Sequence, residues 1–413
     1  MVDTERPSLL VLLNTFPWGV GEEFFAYELP FLAEEFELTL SPTRKRDERR
    51  PVPEAVSVVA RTSTGRIPLP SLLRAFVDLG TELRGLARPT ARWSVTGRRL
   101  RRLFKHARGA LRAAGGLTSL EREIGPLESK IPLSYWGNLS AVALAWSGQP
   151  FAVRLGGYDL YWERNQDGYR PFQGSLLRRA AVVLVPSEHG RDYLAERYPD
   201  VSERLVVSRR GVPRQESLNP ASEDGSLKLL SISTVSAVKR PELIAEAVQR
   251  AVDAGLRVHW THIGDGPGHA ALRQRVDDLG IDRQTHLVGR VAAGEAGLFP
   301  LLRSRPFDLM INVSTSEGLP SSLQEALSFG IPVMATSVGG NTEIVRESGG
   351  ILLPADPVPA DILEGLWSVA NRSSAERARA RERAVRAQHE HFDVAANMAA
   401  RCRTLRSITP SSH

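Results

Sequence analysis

The sequence predicts an α/β protein made of two Rossmann-like, doubly wound domains. The chain has 413 residues, which is too long for one ordinary core and fits two domains of about 100 to 200 residues each. Short apolar runs rich in β-branched residues alternate along it with longer helical patterns. The junctions between them carry glycine, proline and polar residues. This alternation is typical of a parallel sheet with helices on both faces.

Composition excludes several protein classes. A hydrophobic share of 42% and a charged share of 24% indicate a globular protein and not a disordered one. Cys402 is the single cysteine, so an internal disulfide is excluded and a reducing compartment is favoured. No stretch approaches the roughly 18 to 20 apolar residues that span a bilayer, and the run Leu9–Leu13 is too short for a signal peptide. We therefore expect a cytoplasmic protein.

The first domain is expected over residues 1–212. Its predicted strands are 8–14, 36–41, 56–60, 131–136, 151–155, 181–187 and 205–209. The helix after the first strand is expected over 24–36. Gly19 and Gly21 give a tight turn between that strand and helix, which is where doubly wound sheets hold ligands.

A basic helical region interrupts this domain at about 70–128. The net charge of the chain is +6. The stretch from Arg74 to Arg112 contains eleven basic residues and only two acidic ones, with leucine and aromatic residues between them. Such a stretch is suited to an anionic membrane surface. A solvated face on surface helices explains it equally well. Nucleic acid is disfavoured, because the stretch matches none of the usual binding modules.

The second domain is expected over 227–385, after a linker rich in proline, serine and glutamate at 213–226. It opens with a buried strand at 227–233, and further strands are predicted at 258–263 and 309–314. Residues 286–291 are expected to form another turn, and beyond 351–354 the chain is expected to be helical. Lys239 and Arg240 stand where the first loop of this domain meets its helix. A lysine at that place meets a diphosphate as a point charge. Residues 386–413 are predicted to form a final helix.

The glycine-rich stretch from Gly264 to Gly268 raises the alternative of a dinucleotide site. Its spacing is Gly-x-Gly-x-Gly, whereas the dinucleotide fingerprint needs Gly-x-Gly-x-x-Gly and an acidic residue about twenty positions later. Neither requirement is met. The stretch is better explained as an ordinary turn between strand and helix.

The stretch EGLPSSLQE, from Glu317 to Glu325, is the strongest candidate site. We expect Pro320 at the first helical position, where its missing N–H costs nothing. Gly318 allows a ligand to approach the backbone closely. The free N–H groups of the helix start favour a phosphate, and the flanking carboxylates can accept hydrogen bonds from sugar hydroxyls. The alternative is a simple turn with two solvated glutamates.

These letters resemble the donor-site signature of the family 4 retaining glycosyltransferases, whose fold is called GT-B. The matching residues are Glu317, Glu325, Ala326, Gly330, Pro332, Val333, Gly339, Gly340 and Glu343. FPWGVGEEFF, SYWGN, RLGGYDLY and SEHGRDYL resemble a bacterial exopolysaccharide branch of that family. The resemblance implies two facing domains with an inter-domain cleft, and a last helix that crosses back to the first domain.

The resemblance also implies a function and a set of site residues. It implies a retaining, metal-independent hexosyltransferase without cofactor, which moves a sugar from a nucleotide-sugar donor to a glycan or lipid-linked acceptor in cell-surface polysaccharide synthesis. Glu317 would be catalytic. The donor side would consist of Lys239, Arg240, Gly264, Gly266, Arg290, Gly318, Leu319, Pro320 and Glu325. The acceptor side would consist of Gly19, Gly21, Arg154 and Asp159. Peripheral contact with the inner face of an anionic membrane is compatible with this function.

Two departures from the family pattern leave an alternative open. Gly156 stands where many members carry a histidine, and Ser233-Thr234 replaces a Gly-Arg pair that commonly accompanies the lysine. A non-catalytic sugar-nucleotide-binding or scaffold protein of the same fold would tolerate both changes. A GT-B epimerase or an oxidoreductase is a weaker alternative, and the glycine spacing counts against the oxidoreductase.

Overall fold

The structure is a computed structural model, which describes residues 6–19, 21–45, 49–61, 65–86, 93–165 and 167–408, without the side chains of 93–96. The chain divides into two compact units. The first consists of Met1–Ser208 together with Met398–His413, and the second of Arg209–Asn397. The division thus falls at Ser208, a little before the expected end of the first domain at 212.

The first unit contains a parallel sheet with helices. Its strands are β1 Ser8–Leu13, β2 Glu37–Pro42, β3 Ser57–Val58, β4 Ile131–Ser134, β5 Ala152–Arg154, β6 Val182–Val185 and β7 Leu205–Val207. Its helices are α1 Phe25–Glu35, α2 Leu69–Leu86, α3 Trp93–Ile124, α4 Leu139–Ser147, α5 Gly157–Leu160, α6 Gln173–Arg179 and α7 Glu188–Arg197.

The second unit repeats this plan. Its strands are β8 Leu227–Ile232, β9 Val258–Ile263, β10 Thr285–Gly289, β11 Leu309–Asn312, β12 Val333–Thr336 and β13 Ile351–Leu353. Its helices are α8 Pro241–Asp253, α9 His269–Asp278, α10 Leu298–Ser304, α11 Ser321–Ser328, α12 Asn341–Ser348, α13 Pro359–Ala370 and α14 Ser374–His391. The helix α15 Val394–Arg406 starts in this unit and ends in the first.

The two sheets share one strand order, except that the first has an additional strand at its edge. The strand order is β3-β2-β1-β4-β5-β6-β7 in the first unit and β10-β9-β8-β11-β12-β13 in the second. All the described strand pairs within them are parallel. In each sheet the chain moves outward over its first three strands, then crosses back to the other side of the first strand and continues in the opposite direction. Each unit therefore has a topological switch point, between β1 and β4 and between β8 and β11, where such sheets open a crevice for a ligand.

The cores explain why these segments are strands. β1 is buried along its length except at Ser8, and β12 is buried throughout, as expected for parallel strands covered on both faces. Trp260 on β9 and Leu366 on α13 belong to the core of the second unit. The two predicted Rossmann-like domains are confirmed.

The basic region forms α2 and α3, which pack against α4. Trp146 of α4 is buried there and donates a hydrogen bond from Nε1 to Asp78 Oδ2 at 2.7 Å. Arg88 and Arg92, which contribute to the basic count, lie outside the described residues. Among the helices that the structure describes, none is long and apolar enough to cross a membrane.

The predicted linker is packed on the second unit. Asn219 is buried and donates from Nδ2 to the carbonyls of Leu302, at 2.6 Å, and Arg305, at 2.7 Å. Its Oδ1 accepts from the Phe307 backbone N–H at 2.8 Å. A segment rich in turn-forming residues therefore serves as a fixed part of this unit.

Candidate functional site

Three loops meet at the switch point of the second unit. The loop after β8 contacts the loop after β9 through a hydrogen bond from the Val235 N–H to the Asp265 carbonyl at 3.1 Å. It contacts the loop after β11 through a bond from the Thr315 N–H to the Val238 carbonyl at 2.8 Å. The carboxyl ends of β8, β9 and β11 thus form one continuous rim.

Glu317 lies at the centre of this rim, and its side chain is held by three donors. Lys239 Nζ lies 2.5 Å from Oε1, Ser314 Oγ donates to the same oxygen at 2.7 Å, and Asn312 Nδ2 donates at 3.1 Å. All three bonds fall on Oε1. Within the described residues, Oε2 has no protein hydrogen-bond partner, so it can accept from a ligand hydroxyl.

The environment keeps Glu317 ionised. Burial would raise the pKa of this carboxyl, but the charge of Lys239 and the hydrogen bonds from Lys239, Ser314 and Asn312 outweigh it, and the pKa lies below its usual value. The pair therefore presents a carboxylate beside an ammonium group at neutral pH.

The predicted alternative of two solvated glutamates is wrong. Glu317 is only 6% exposed and Glu325 only 7%. Pro320 was expected at the first helical position, but α11 begins at Ser321 and Pro320 has an extended ψ of 124° as the residue before it. Proline has no backbone N–H, and neither position uses that group in a helical hydrogen bond. The free N–H groups of the first turn of α11 are therefore the same in both cases.

Gly340 allows the loop after β12 to lie directly on the EGLP turn. A Cβ at Gly340 would come 2.1 Å from the Gly318 carbonyl oxygen, which is closer than any side chain permits. The Gly340 N–H donates to the Glu317 carbonyl at 3.4 Å. Gly318 and Leu319 are consequently buried beneath the loop after β12.

Gly264 and Gly266 are required by the backbone packing of the rim. Their φ angles are 146° and 159°. A Cβ on them would lie 1.8 Å from the Ser233 carbonyl oxygen and 2.5 Å from that of Val235. These glycines bring the loops after β8 and β9 together, so their role in this structure is to shape the site.

The two predicted arginines of the donor side differ in their surroundings. Arg240 has a left-handed backbone, with φ at 49°, and its guanidinium contacts the Val313 carbonyl at 2.8 Å and Asp356 Oδ1 at 2.5 Å. Its charge is therefore used to hold neighbouring loops. Arg290 follows β10 and is exposed.

Sequence reasoning missed the polar residues beneath Glu317. Asn312, Ser314, Thr336 and Asn341 are buried, and Thr336 Oγ1 donates to the Ser314 carbonyl at 2.7 Å. The only signal in the sequence is the presence of Asn312 inside an otherwise apolar run.

The switch point of the first unit is organised by Glu22, which was also missed. Its carboxylate accepts from the backbone N–H groups of Asn14 at 3.0 Å and of Thr15 and Phe16 at 2.7 Å, and from Trp136 Nε1 at 2.5 Å. One buried side chain thus ties the loop after β1 to the loop after β4.

Gly19 and Gly21 make the turn that leads to Glu22. Their φ angles of 65° and 103° lie in the left-handed region, which glycine adopts without strain. The Gly21 N–H donates to Glu23 Oε2 at 2.7 Å, and the Gly19 carbonyl accepts from Arg50 Nη1 at 2.5 Å. The two glycines therefore set the path of the loop after β1.

Asp159 and Gly156 stand at the neighbouring strand end. Asp159 is buried and accepts from the Gly156 N–H at 2.9 Å and from the Gly137 N–H. Burial raises the pKa of its carboxyl, and these bonds with the Arg170 charge counteract that effect. A Cβ at Gly156 would lie 2.6 Å from the Trp136 ring. Trp136 thus occupies the space into which a side chain at 156 would project.

Arg154 is not brought to this surface. It is 1% exposed, with its guanidinium 4.8 Å from the Tyr135 ring centroid and Nη2 at 3.8 Å from Glu28 Oε1. Its position gives it a role in the interior of the unit. Of the predicted acceptor-side residues, Asp159 lines a cavity of the first unit.

The second unit contains the part of the chain that matches a known protein family. Residues 226–371 match the family model for glycosyl transferases group 1. The match begins just before β8 and ends just after α13, so it includes Lys239, Glu317 and Glu325.

The chain is similar to several bacterial proteins. It is 25% identical over 211 residues to the putative colanic acid biosynthesis glycosyltransferase WcaL of Escherichia coli, covering 49% of this chain and 51% of that protein. It is 31% identical over 175 residues to the N-acetyl-alpha-D-glucosaminyl L-malate synthase of Bacillus anthracis, covering 42% of each. The chain thus spans about half the length, or less, of these curated relatives.

The fold is similar to that of solved glycosyltransferases. Anabaena HepE, crystallised in complex with UDP, gives a TM-score of 0.66 at 14% identity, covering 97% of this chain and 100% of that one. A glycosyltransferase from Rickettsia africae gives 0.66 at 13% identity, covering 98% and 100%. At this identity the likeness concerns the fold, which is GT-B.

Proposed function

We propose, from the match of residues 226–371 to the family model for glycosyl transferases group 1, that the chain transfers a sugar from a nucleotide-sugar donor to a glycan or lipid-linked acceptor. The role would be in cell-surface polysaccharide synthesis, as the name of the colanic acid relative suggests. The observation that carries the proposal is the Lys239–Glu317 pair at the switch point of the second unit.

Each part of this pair suits a different part of the donor. The Lys239 ammonium and the N–H groups at the start of α11 offer positive charge to a diphosphate. Glu317 Oε2 is available to accept from a hydroxyl of the donor sugar. Glu325, buried on α11, would hold the ribose. These contacts would place the leaving group against the helix and the sugar against Glu317.

We propose a retaining reaction that needs no bound metal. The bond from the anomeric carbon to the diphosphate oxygen breaks, and the acceptor oxygen bonds that carbon on the same face. The acceptor proton passes to the leaving phosphate oxygen. Lys239 neutralises charge that develops on the diphosphate, which is the kind of stabilisation that lowers such barriers most. Activity is therefore expected to survive chelation by EDTA.

Substitution of Glu317 tests the site directly. Glu317→Gln keeps the size of the side chain but removes the charge that faces Lys239 and the donor sugar. We expect nucleotide binding to persist, while kcat falls by about tenfold or more, because a contact that strengthens in the transition state is lost.

Binding is measured by thermal shift with a panel of nucleotides and nucleotide sugars, since a ligand of the native state raises its apparent stability. Turnover is measured by release of the nucleotide. Glu364→Gln, on the exposed face of α13, is the matched control. Nucleotide-sugar binding by the wild-type protein without any turnover would favour the non-catalytic alternative.

We further propose that α2 rests on an anionic membrane surface. Leu69, Leu73, Phe76 and Val77 recur at helical spacing and are between 59% and 70% exposed. The neighbouring helix α3 carries Phe104, 52% exposed, among several arginines and Lys105. An apolar face beside a basic one fits a leaflet with anionic headgroups.

Vesicle flotation tests this contact. We expect binding to vesicles that contain phosphatidylglycerol at low salt, and a steep loss as salt is added, because exposed charges are screened within about 8 Å at physiological ionic strength. The double variant Leu73→Ser, Phe76→Ser should not bind. Leu218→Ser, which removes an exposed leucine of the second unit, should bind as the wild type does. Equal flotation of all three proteins would contradict the proposal.

A further inference from the structure

A large cavity opens at the switch point of the first unit, and of the predicted acceptor-side residues it includes Asp159. Its volume is about 710 Å³, within the range of small-molecule sites. It lies where the loop after β4 meets α3 and the segment after α5. Its polar and aromatic lining includes Asn14, Arg98, Arg101, Arg102, Lys105, Trp136, Asn138, Tyr158, Asp159, Asp167 and Arg170. All of these residues belong to the first unit.

The cavity carries more positive charge than its carboxylates neutralise. Arg102 pairs with Asp167 at 3.0 Å and also donates to Asn165 Oδ1 at 2.9 Å. Arg170 donates to the Tyr158 carbonyl, and its charge faces Asp159, which is already held by two backbone N–H groups. These two arginines are thus matched by the two carboxylates of the lining.

Among the described residues, the lining has no further carboxylate to neutralise the charges of Arg98, Arg101 and Lys105. Each lines the cavity, yet within the described part of the chain none of them forms a hydrogen bond or an ion pair. They lie three and four residues apart on α3, so they share one face of that helix. Burial lowers the pKa of the neighbouring His106 ring, which keeps that side chain neutral. The surplus charge of the cavity therefore comes from these three residues.

We propose that this cavity binds the acceptor, and that the acceptor carries a phosphate or diphosphate held by Arg98, Arg101 and Lys105. Guanidinium groups match phosphate oxygens in pairs, and an ammonium adds a point charge. A diphosphate brings enough negative charge to balance three cations. It fills only part of the volume, so the remainder, beside Trp136 and Tyr158, is left for a sugar ring. The term acceptor rests on the transferase function proposed above.

Phosphate binding is tested in solution and without turnover. Inorganic pyrophosphate is titrated calorimetrically into the full chain carrying Lys239→Gln, so that the second unit contributes less binding. Adding Arg101→Gln and Lys105→Gln should weaken the affinity about tenfold or more, since each removes a charge-assisted contact. Both residues are exposed, so folding is retained.

The control adds Arg108→Gln and Arg122→Gln instead. These exposed arginines stand on the same helix but do not line the cavity, so the change in charge is identical and the affinity should change less than about twofold. An equal loss in both double variants, or no loss in the first, would overturn the proposal.

Two further probes identify the source of the phosphate. Farnesyl diphosphate represents a lipid-linked acceptor, and glucose 1-phosphate represents a phosphorylated glycan. Tighter binding of either, weakened by the cavity variants and not by the control variants, supports the proposal and assigns the source. Because the cavity and control variants differ only in the first unit, the difference between their affinities reports binding there, and failure of the transferase function would leave that difference unchanged.

Discussion

His262 is a buried titratable side chain near the carboxyl end of β9. Its ring is fully buried, with Nδ1 2.7 Å from Ser231 Oγ, which also accepts from Trp260 Nε1 at 2.8 Å. Burial lowers the pKa of this imidazole from 6.5 to about 4. The unfolded chain therefore binds a proton at a pH where the folded one does not. The folded second unit therefore holds this ring in its neutral form at neutral pH.

We predict that the second unit loses stability as the pH falls from 6.5 to about 4. The unfolded state binds more protons in this window. The free energy of unfolding therefore decreases as the pH is lowered, by about 3 kcal/mol in total for this group. Urea unfolding at pH 7.0 and pH 4.5 measures the loss. His262→Asn, which does not titrate there, should show a smaller loss than the wild type. Equal losses would mean that His262 is not responsible.

The sequence predicted the residues that have a chemical motif and missed those that depend on three-dimensional partners. Lys239 and Glu317 follow from their positions after apolar strands, and their hydrogen bond agrees with that placement. Glu22 could not be predicted, because its importance arises from backbone N–H groups and an indole brought together by the fold. Asn312 could not be predicted either, because its hydrogen bond to Glu317 depends on the three-dimensional path of the loop.

The loops after β4 and β5 fit together through Trp136 and Gly156. The Trp136 ring is fixed by the bond from Nε1 to Glu22. A Cβ at 156 would lie 2.6 Å from that ring, so the absence of a side chain there is a packing requirement. Where many family members carry a histidine, this chain has Gly156, and the Trp136 ring occupies the space of the missing side chain.

We predict that Gly156→Ala destabilises the first unit by about 1 to 3 kcal/mol, the usual cost of overpacking. Thermal unfolding measures the effect. The cost should shrink when Trp136→Leu is present, because the clash is then removed and the two changes are coupled. Gly85→Ala on α2, where a Cβ meets nothing within 4 Å, is the control and should not destabilise. An unchanged cost in the Trp136→Leu background would rule out the clash.

At the level of elements, most strands were predicted within a residue or two of their observed ends. β9 coincides with its predicted range of 258–263. β12 was missed, because Gly330 and Pro332 indicate a turn and the four residues Val333–Thr336 that follow are too short to give a periodic signal. The helices α2 and α3 were predicted as a basic helical region, but their contact with α4 depends on Trp146 and Asp78 meeting across the fold.

A buried charge cluster joins the last helix to the body of the first unit. Glu28 of α1 lies 2.7 Å from Arg401 Nη1 and accepts from the Tyr135 hydroxyl at 2.8 Å. Arg154 approaches the same carboxylate from β5. Arg401 also donates to Ser208 Oγ at 2.8 Å. The end of α15 is therefore an integral part of the first unit.

We predict that Arg401→Met destabilises the first unit by about 3 to 5 kcal/mol, because removing one partner of a buried pair leaves a poorly compensated charge. Hydrogen exchange should show lost protection in peptides of β1, β4 and β5. Protection of β8 and β11 should persist, since these strands belong to the second unit.

Arg406→Gln supplies the control on the same helix. Arg406 pairs with Glu35 at the surface, with both side chains substantially exposed, and such pairs contribute about 0 to 1 kcal/mol. Equal effects of the two substitutions would contradict the role given to Arg401.

From the position of Arg401 we also expect an order of folding events during synthesis. The ribosome releases Glu28 and Arg154 early, then the whole of residues 209–397, and only afterwards the arginine that pairs with Glu28. The second unit is one unbroken segment and can close its sheet while the tail is still in the exit tunnel. The first unit must wait, with a carboxylate in its interior that lacks one of its two cations. We therefore expect the half of the chain that is made first to finish folding last.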